Sequence, residues 1–446
     1  MEPAKTILEA YQAADPMPLS GGDPYFVNLT KARASPATVR LQQMVRNCAE
    51  GHFGAIAFSG HRGSGKSTEL RQLQTELSDS CFTLYLDVID FLDPYDVDYT
   101  DVFLLVSRAL LDELNKQGVP LSRDLLNAVE RWFVDVTEET EESVRLSAGI
   151  ATQAQAGVEI PFITKLLARL TANIKAGSST KVATRHQLDR YFSGLLSNAN
   201  LLLSEAAAAL KEAGKASQIL VLIDNLDRMP PERSEELFFA HGSQLQGLNC
   251  HAVYTVSLDT FYSTKHLATV FPNRVMLPNV KLRQGKDDAE PNQAGLQALR
   301  EIISKRWNLD AVFQSAALAD EIIRLSGGSV RQVIRLMREA ALSAQARELA
   351  QIDGEAIQEA AINLQQDFER ALSPEDYPLL AFTASTHGIE KNAAYLRLLS
   401  NTAILEYNGK DIWHDVNPLV EPIDAYQDAR KKPGAKHPAR GRKRPR

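Results

Sequence analysis

The chain is poor in the features that hold a protein together from outside its core. Of 446 residues only three are cysteine, Cys48, Cys81 and Cys250, far apart and without a C-x-x-C pair. That argues against a disulfide scaffold or a cysteine zinc site and predicts a reducing compartment. No apolar run approaches the ~20 residues needed to cross a bilayer. The first residues, Met1 to Lys5, show no basic segment followed by an apolar one. We therefore expect no membrane span, no signal peptide and a cytoplasmic location. No period of 20 to 50 residues repeats clearly, so a solenoid is unsupported. Hydrophobic residues make up 44%, enough for real cores, and exclude global disorder.

Charge is unevenly spread. Between Arg430 and Arg446 there are nine Lys and Arg and no acid, so the remaining residues, 1–429, carry −16 of a net −7. With Pro433, Pro438 and Pro445 also in it, this tail is expected to be disordered. It could bind nucleic acid or another polyanion; a solubilising tail is the plain alternative.

What the chain does have is Gly60-His61-Arg62-Gly63-Ser64-Gly65-Lys66-Ser67. This fits the G-x-x-x-x-G-K-[ST] phosphate-binding loop in full. A triphosphate is strongly anionic, and a helix N-terminus offers unpaired N–H groups with a partial charge of about +0.5. Glycines at 60, 63 and 65 let the backbone wrap closely. Lys66 can reach the outer phosphates and Ser67 can ligate Mg²⁺. The expected nucleotide-binding set is Gly60, His61, Arg62, Gly63, Ser64, Gly65, Lys66, Ser67 and Thr68. The setting is right: Ala55 to Ser59 is a buried-strand pattern, and Leu70, Leu73 and Leu77 have helical spacing.

Further apolar runs read as strands at Phe82–Asp87, Ile219–Asp224, Ala252–Ser257 and Arg274–Leu277, and a short one is expected at Tyr25–Leu29. Helices between strands predict an α/β fold, a P-loop NTPase with a mostly parallel sheet covered on both faces. The expected layout is an approach segment (1–50), a core (51–285) with a helical insertion (118–215), a helical lid (286–350), a winged-helix-like unit (351–426) and the basic tail (427–446). Within the insertion, Glu138–Glu142 reads as a solvated face or loop, Ile160–Ile174 as a helix packed inside an all-helical segment, and Gly177-Ser178-Ser179 as a loop. Asn408-Gly409 between Ala403–Tyr407 and Lys410–His414 is a strong hairpin signal, and helices followed by a hairpin suggest the winged helix.

Ligands of such sheets bind beyond the carboxyl ends of the strands. Asp224 ends an apolar run there, where a carboxylate can hold Mg²⁺ through its water shell. Hydrolysis needs a group to orient and deprotonate water. Asn225 can position water but cannot take its proton. Asp227 is the nearest carboxylate and the preferred base, with a salt bridge to Arg228 or a helix cap as the alternative. Ser257 could sense the γ-phosphate or cap a turn. Arg331, after Gly327-Gly328-Ser329, could reach from the lid to the γ-phosphate. Arg274 could act across a subunit boundary as an arginine finger.

The phosphate loop, Asp224-Asn225-Leu226-Asp227, Ser257, the run Gly327 to Arg331 and the terminal hairpin together resemble the AAA+ and STAND class of P-loop ATPases, including the replication-initiator-like ones. The chain is also similar to bacterial AAA-family proteins with a G-H-R-G-S-G-K-S-T loop. That resemblance implies ATP and Mg²⁺ as cofactors, and a place among the ATP-gated components of antiphage defence. The class's usual Asp-Glu pair is Asp224-Asn225 here, which implies slow hydrolysis. No nuclease or protease effector is recognisable, so a protein partner, or self-assembly into a homo-oligomer, would carry the output. A regulatory ATPase switch is therefore the leading expectation. A DNA-binding ATPase is the alternative, weakened because Gln366–Tyr426 carries ten acids against four bases. A kinase or nucleotide transferase is a third, disfavoured by the extra lid and hairpin.

Overall fold

The computed structural model describes residues 2–48, 51–137, 161–177, 179–408 and 411–432. It divides into two compact units, one of Met1–Thr38, Gly60–Glu69 and Met276–Arg446, the other of Val39–Ser59 and Leu70–Val275.

A five-stranded sheet is the frame: β1 (Ala55–Gly60), β2 (Cys81–Asp87), β3 (Gln218–Asp224), β4 (His251–Val256) and β5 (Asn273–Leu277), in the order β2-β3-β4-β1-β5. The pairings β2–β3, β3–β4 and β1–β4 are parallel. This is the α/β P-loop NTPase fold. β4 is buried along its whole length, as a strand covered on both faces should be, while β2 and β5 are partly open. In β3 every residue from Ile219 to Asp224 is buried. The β2–β3 register runs from Cys81↔Gln218 to Asp87↔Asp224, so the two strands end on the same rung, each in an acid.

The helices of the second unit share one hydrophobic core with this sheet. Tyr99–Lys116 begins at a capping box, Asp98 accepting from the third-residue amide while Asp101 reaches back, which satisfies its orphan N–H groups. It buries Phe103, Leu104, Leu110 and Leu111. Phe162–Lys175 and Phe192–Glu212, from the expected insertion, turn Leu166, Leu170, Leu195 and Leu202 into the same cluster. No described helix is long and apolar enough to cross a membrane.

In the first unit, Gln293–Arg306, Leu318–Leu325, Val330–Ala346, Gly354–Ala371, Asp376–Thr386 and Ala393–Ser400 are helical. Asn292, Asp353 and Asn392 cap three of them with side-chain oxygens. An antiparallel hairpin follows, β6 (Ile404–Tyr407) and β7 (Trp413–Val416), then the helix Asp424–Lys431.

Two expectations are corrected. Tyr25–Leu29 is not a strand but the end of a turn followed by irregular chain. The Phe26 carbonyl is taken by Lys305 Nζ at 2.5 Å, and Tyr25 lies under the Arg306 guanidinium, so side chains satisfy this segment in place of a strand ladder. The hairpin is not closed by a two-residue Asn408-Gly409 turn either. Tyr407 pairs with Trp413 and their rings stack 5.4 Å apart, which makes the connection residues 408–412. The acidic run 138–142, Ile160, Ser178, Gly409, Lys410 and the tail from Pro433 lie outside the described residues.

Candidate nucleotide-binding site

The loop that follows β1 takes the shape its glycines permit. Gly63 and Gly65 have φ of +86° and +101°, where an L side chain is strained. The helix Lys66–Glu76 starts at its end. Lys66 is buried, and its Nζ donates to the carbonyls of Gly60 at 2.8 Å and His61 at 3.0 Å. The ammonium thus sits inside the loop it is expected to serve. Ser64 Oγ is buried with no hydrogen-bond partner among the described residues. Ser67 is half-buried, Arg62 is exposed, and the Thr68 hydroxyl accepts from the Leu19 amide at 3.2 Å.

Three contacts from its own unit fix this loop. Arg331 donates its backbone N–H to the Gly63 carbonyl at 3.1 Å, and its stem lies so close that a Cβ on Gly63 would come within 2.5 Å of Arg331 Cβ. Arg33, 2% exposed, donates to the Ser64 carbonyl and pairs with Glu69 at 2.5 Å. His61, 1% exposed, accepts the Glu406 amide of β6 on Nε2 at 2.9 Å. Burial holds His61 neutral, its pKa lowered to about 4; Glu406 opposes that shift and Lys66 adds to it.

The strand-end acids belong to the other unit. Asp224 is 1% exposed; Tyr85 donates its hydroxyl to Oδ2 at 2.6 Å and the Asn225 amide donates to Oδ1 at 2.8 Å. Burial, then Asp224, raises the Tyr85 pKa, so the phenol stays a donor. The Arg71 guanidinium stacks over its ring at 4.7 Å. Asn225 is in the left-handed region (φ 66°) and its side chain is engaged at both ends. Its Nδ2 donates to Asp87 Oδ1 and its Oδ1 accepts from Arg228 Nε, both at 2.8 Å. Asp227 is half-buried in the 3₁₀ turn Leu226–Arg228. Ser257 caps the helix Leu258–Phe261 by accepting from the Thr260 amide and shares a buried hydroxyl cluster with Thr260 and Ser234. Arg274 is exposed near the start of β5.

The residues fit a nucleoside triphosphate. A buried lysine lies in the loop where the helix begins, and the Ser64 hydroxyl inside the loop has no hydrogen-bond partner among the described residues. The Ser67 hydroxyl in this unit and the Asp224 carboxylate in the other are each an oxygen donor of the kind that suits a magnesium ion. Sequence reasoning missed Arg33, Glu69, Tyr85 and Asp87. Asp87 had a signal, an acid at the end of an apolar strand; Arg33 had none.

Comparison with known protein families agrees on the class. Residues 35–242 match the model of the KAP family P-loop domain. No curated protein matches. Among solved structures, the chain is similar to the ORC2 protein of Aeropyrum pernix, at 12% identity and TM-score 0.43 over 94% of this chain and 96% of that one. It is similar to a Walker-type ATPase of Pyrococcus abyssi, at 10% identity and TM-score 0.43 over 93% and 99%. It is also similar to the RuvB branch migration motor of Thermotoga maritima, at 12% identity and TM-score 0.36 over 92% and 98%. The fold, the loop and the family match define a P-loop NTPase.

Proposed function

We propose that this protein is an ATP-binding, slowly hydrolysing switch whose nucleotide state controls binding of a partner or its own assembly. The observation that carries the reading is the set of ties on the phosphate loop. His61 is bonded to β6, and Gly63 to Arg331 at the start of the helix Val330–Ala346. A ligand that reshapes the loop must act on both. In this reading Lys66 and the loop hold the phosphates, Ser67 and Asp224 hold magnesium, Arg331 reports on the γ-phosphate, Ser257 senses it, and Arg274 serves a neighbouring copy. Magnesium, when bound, neutralises charge on the phosphates. The hairpin and its preceding helices act as a winged helix that contacts protein.

Differential affinity for two loop states supplies the energy, and ~5.5 kcal/mol inverts a 1:99 equilibrium. Slow turnover follows from Asn225, an amide where the class carries an acid. The test is calorimetry with ATP and sizing by light scattering with and without it. Lys66→Ala should lose both ATP binding and any ATP-dependent change in size; undiminished binding by Lys66→Ala sinks the reading. A place in antiphage defence belongs to the same proposal, and phage plating on cells carrying the parent or Lys66→Ala checks it.

The basic run from Arg430 supports one addition, polyanion binding by the tail. Deleting 430–446 should remove a steeply salt-dependent affinity for DNA. Unchanged affinity would return that role to the hairpin unit.

A further inference from the structure

We propose that the cavity beside the hairpin β6–β7 binds a free α-amino acid with a large apolar side chain, and that its occupancy is coupled to the phosphate loop. The coupling rests on the nucleotide reading above; the binding does not. The cavity holds about 350 Å³, within the roughly 300–1,000 Å³ of small-molecule sites. Its lining and the phosphate loop both belong to the first unit.

One set of charges in the lining is spent internally. Both oxygens of Asp415 accept from the Arg283 guanidinium at 2.8 Å. His387 Nδ1 lies 2.6 Å from Asp415 Oδ1, and Trp413 Nε1 donates to Oδ2 at 3.3 Å. Three other lining groups stay open. The Glu421 carboxylate and the Arg430 guanidinium, both on exposed residues, make no hydrogen bond or ion pair among the described residues. Burial raises the Glu421 carboxyl, and Arg430 is near enough to pull it back. Tyr426 is only 1% exposed, yet its hydroxyl has no hydrogen-bond partner among the described residues. A buried phenol usually finds one.

Those three groups select the ligand. A lone anion would suit Arg430 and be repelled by Glu421; a lone cation would meet the reverse. A zwitterion satisfies both, its ammonium donating to Glu421 and its carboxylate accepting from Arg430 and the Tyr426 hydroxyl. Leu282, Val416, Pro418 and the stacked rings of Tyr407 and Trp413 then take an apolar side chain.

The walls of this cavity are also the segments that tie the loop. Tyr407 follows Glu406, whose amide holds His61. The Tyr407 hydroxyl donates to the Gly327 carbonyl at 2.5 Å, and a Cβ on Gly327 would come within 2.5 Å of Leu405 and 2.8 Å of Pro418. Gly327 opens the run that ends at Arg331, whose amide holds Gly63. A ligand that shifts either wall shifts a tie, and by linkage the ligand of the loop acts back on the cavity by the same factor.

Calorimetry on the full chain, with L-tryptophan and L-leucine as probes and no ATP present, tests the binding. The expected result is a Kd below about 1 mM for at least one of them. L-tryptophan methyl ester and N-acetyl-L-tryptophan, each lacking one charge, should bind about fivefold more weakly than L-tryptophan, or worse. Glu421→Gln, Arg430→Gln and Tyr426→Phe should each weaken the amino acid about fivefold, and melting curves check the three folds. A second titration adds saturating ATP and magnesium. ATP and the amino acid should change each other's Kd by one common factor, about fivefold or more. The proposal is overturned if neither probe binds below about 1 mM, or if a single-charge derivative binds as tightly as the zwitterion. It is equally overturned if neither Glu421→Gln nor Arg430→Gln alters the affinity, or if the two ligands leave each other's Kd unchanged. A parent that binds the amino acid but not ATP sinks the nucleotide reading and the coupling, and leaves the amino-acid site standing.

Discussion

The backbone amide of Glu406 donates to His61 Nε2 at 2.9 Å, so a strand of the C-terminal hairpin is bonded to the second residue of the phosphate loop. An acceptor at Nε2 requires the neutral ring, and burial enforces it by lowering the pKa from 6.5 to about 4. The sign of the resulting pH dependence follows. Below pH 6.5 the unfolded chain protonates this histidine while the folded chain does not, so stability present above pH 6.5 is lost progressively as pH falls toward 4. For one group shifted this far the loss amounts to about 3 kcal/mol. His61→Gln keeps an acceptor for Glu406 but does not titrate. Urea unfolding of the two proteins between pH 7 and 4 should therefore show the parent's advantage shrinking with acid, and parallel curves would exclude the coupling.

Arg33 and Glu69 form a pair that is almost wholly withdrawn from water, with side-chain exposures of 3% and 9%. Burying two charges is repaid only while both are present. Removing either by Arg33→Ala or Glu69→Ala should cost about 3 kcal/mol, because the other is stranded. The double variant should cost clearly less than the two losses added, and simple additivity in a double-mutant cycle would show that the pair does not act as one. Arg33 also holds the Ser64 carbonyl, so Arg33→Ala should weaken ATP binding more than Glu69→Ala does.

Much of this was legible in the chain. Five apolar runs, four of them ending in an acid or a hydroxyl, gave the strands, and Gly60–Ser67 gave the loop, because both signals are local in sequence. Arg331 was marked by the glycine run before it, but two other partners of the loop were not legible. Arg33 and Glu406 reach it from other segments of the chain, and no local pattern marks a contact made by a lone arginine or by a backbone amide. The pairing of Asp87 with Asp224 depends on register between strands 137 residues apart, which periodicity does not encode. Tyr25–Leu29 misled because an aromatic and β-branched run reads as a strand when the lysine and arginine that satisfy it lie near residue 305.

Gly63 is the position where the loop tolerates least. Its φ of +86° already disfavours any side chain, and an added Cβ would stand 2.5 Å from Arg331 Cβ. Gly63→Ala should cost roughly 1–2 kcal/mol for the backbone and a further 1–3 kcal/mol for the clash, with ATP binding lost as the loop shifts. Because the clash is with a β-carbon, Arg331→Ala cannot relieve it, whereas Arg331→Gly should recover part of the stability. Thermal melts of the two double variants decide this, and equal rescue by both would mean that the loop yields and not the helix.

Tyr85 tests the acid at 224 without altering it. Its hydroxyl donates at 2.6 Å to a carboxylate that is 1% exposed, and hydrogen bonds to buried charge contribute about 1.5–3 kcal/mol. Tyr85→Phe keeps the ring over which Arg71 stacks and removes the hydroxyl that donates to Asp224 and also bonds Arg71. The protein should therefore lose roughly that much stability. If Asp224 holds the magnesium that accompanies ATP, the same change should weaken the metal's contribution about 10- to 100-fold, since groups that orient a metal-binding carboxylate act on affinity at second hand. Titrating ATP with magnesium and again with EDTA isolates that contribution. The variant should match the parent with EDTA and fall behind it with magnesium; an equal deficit in both would mean that Tyr85 supports the fold alone and that Asp224 does not meet the metal.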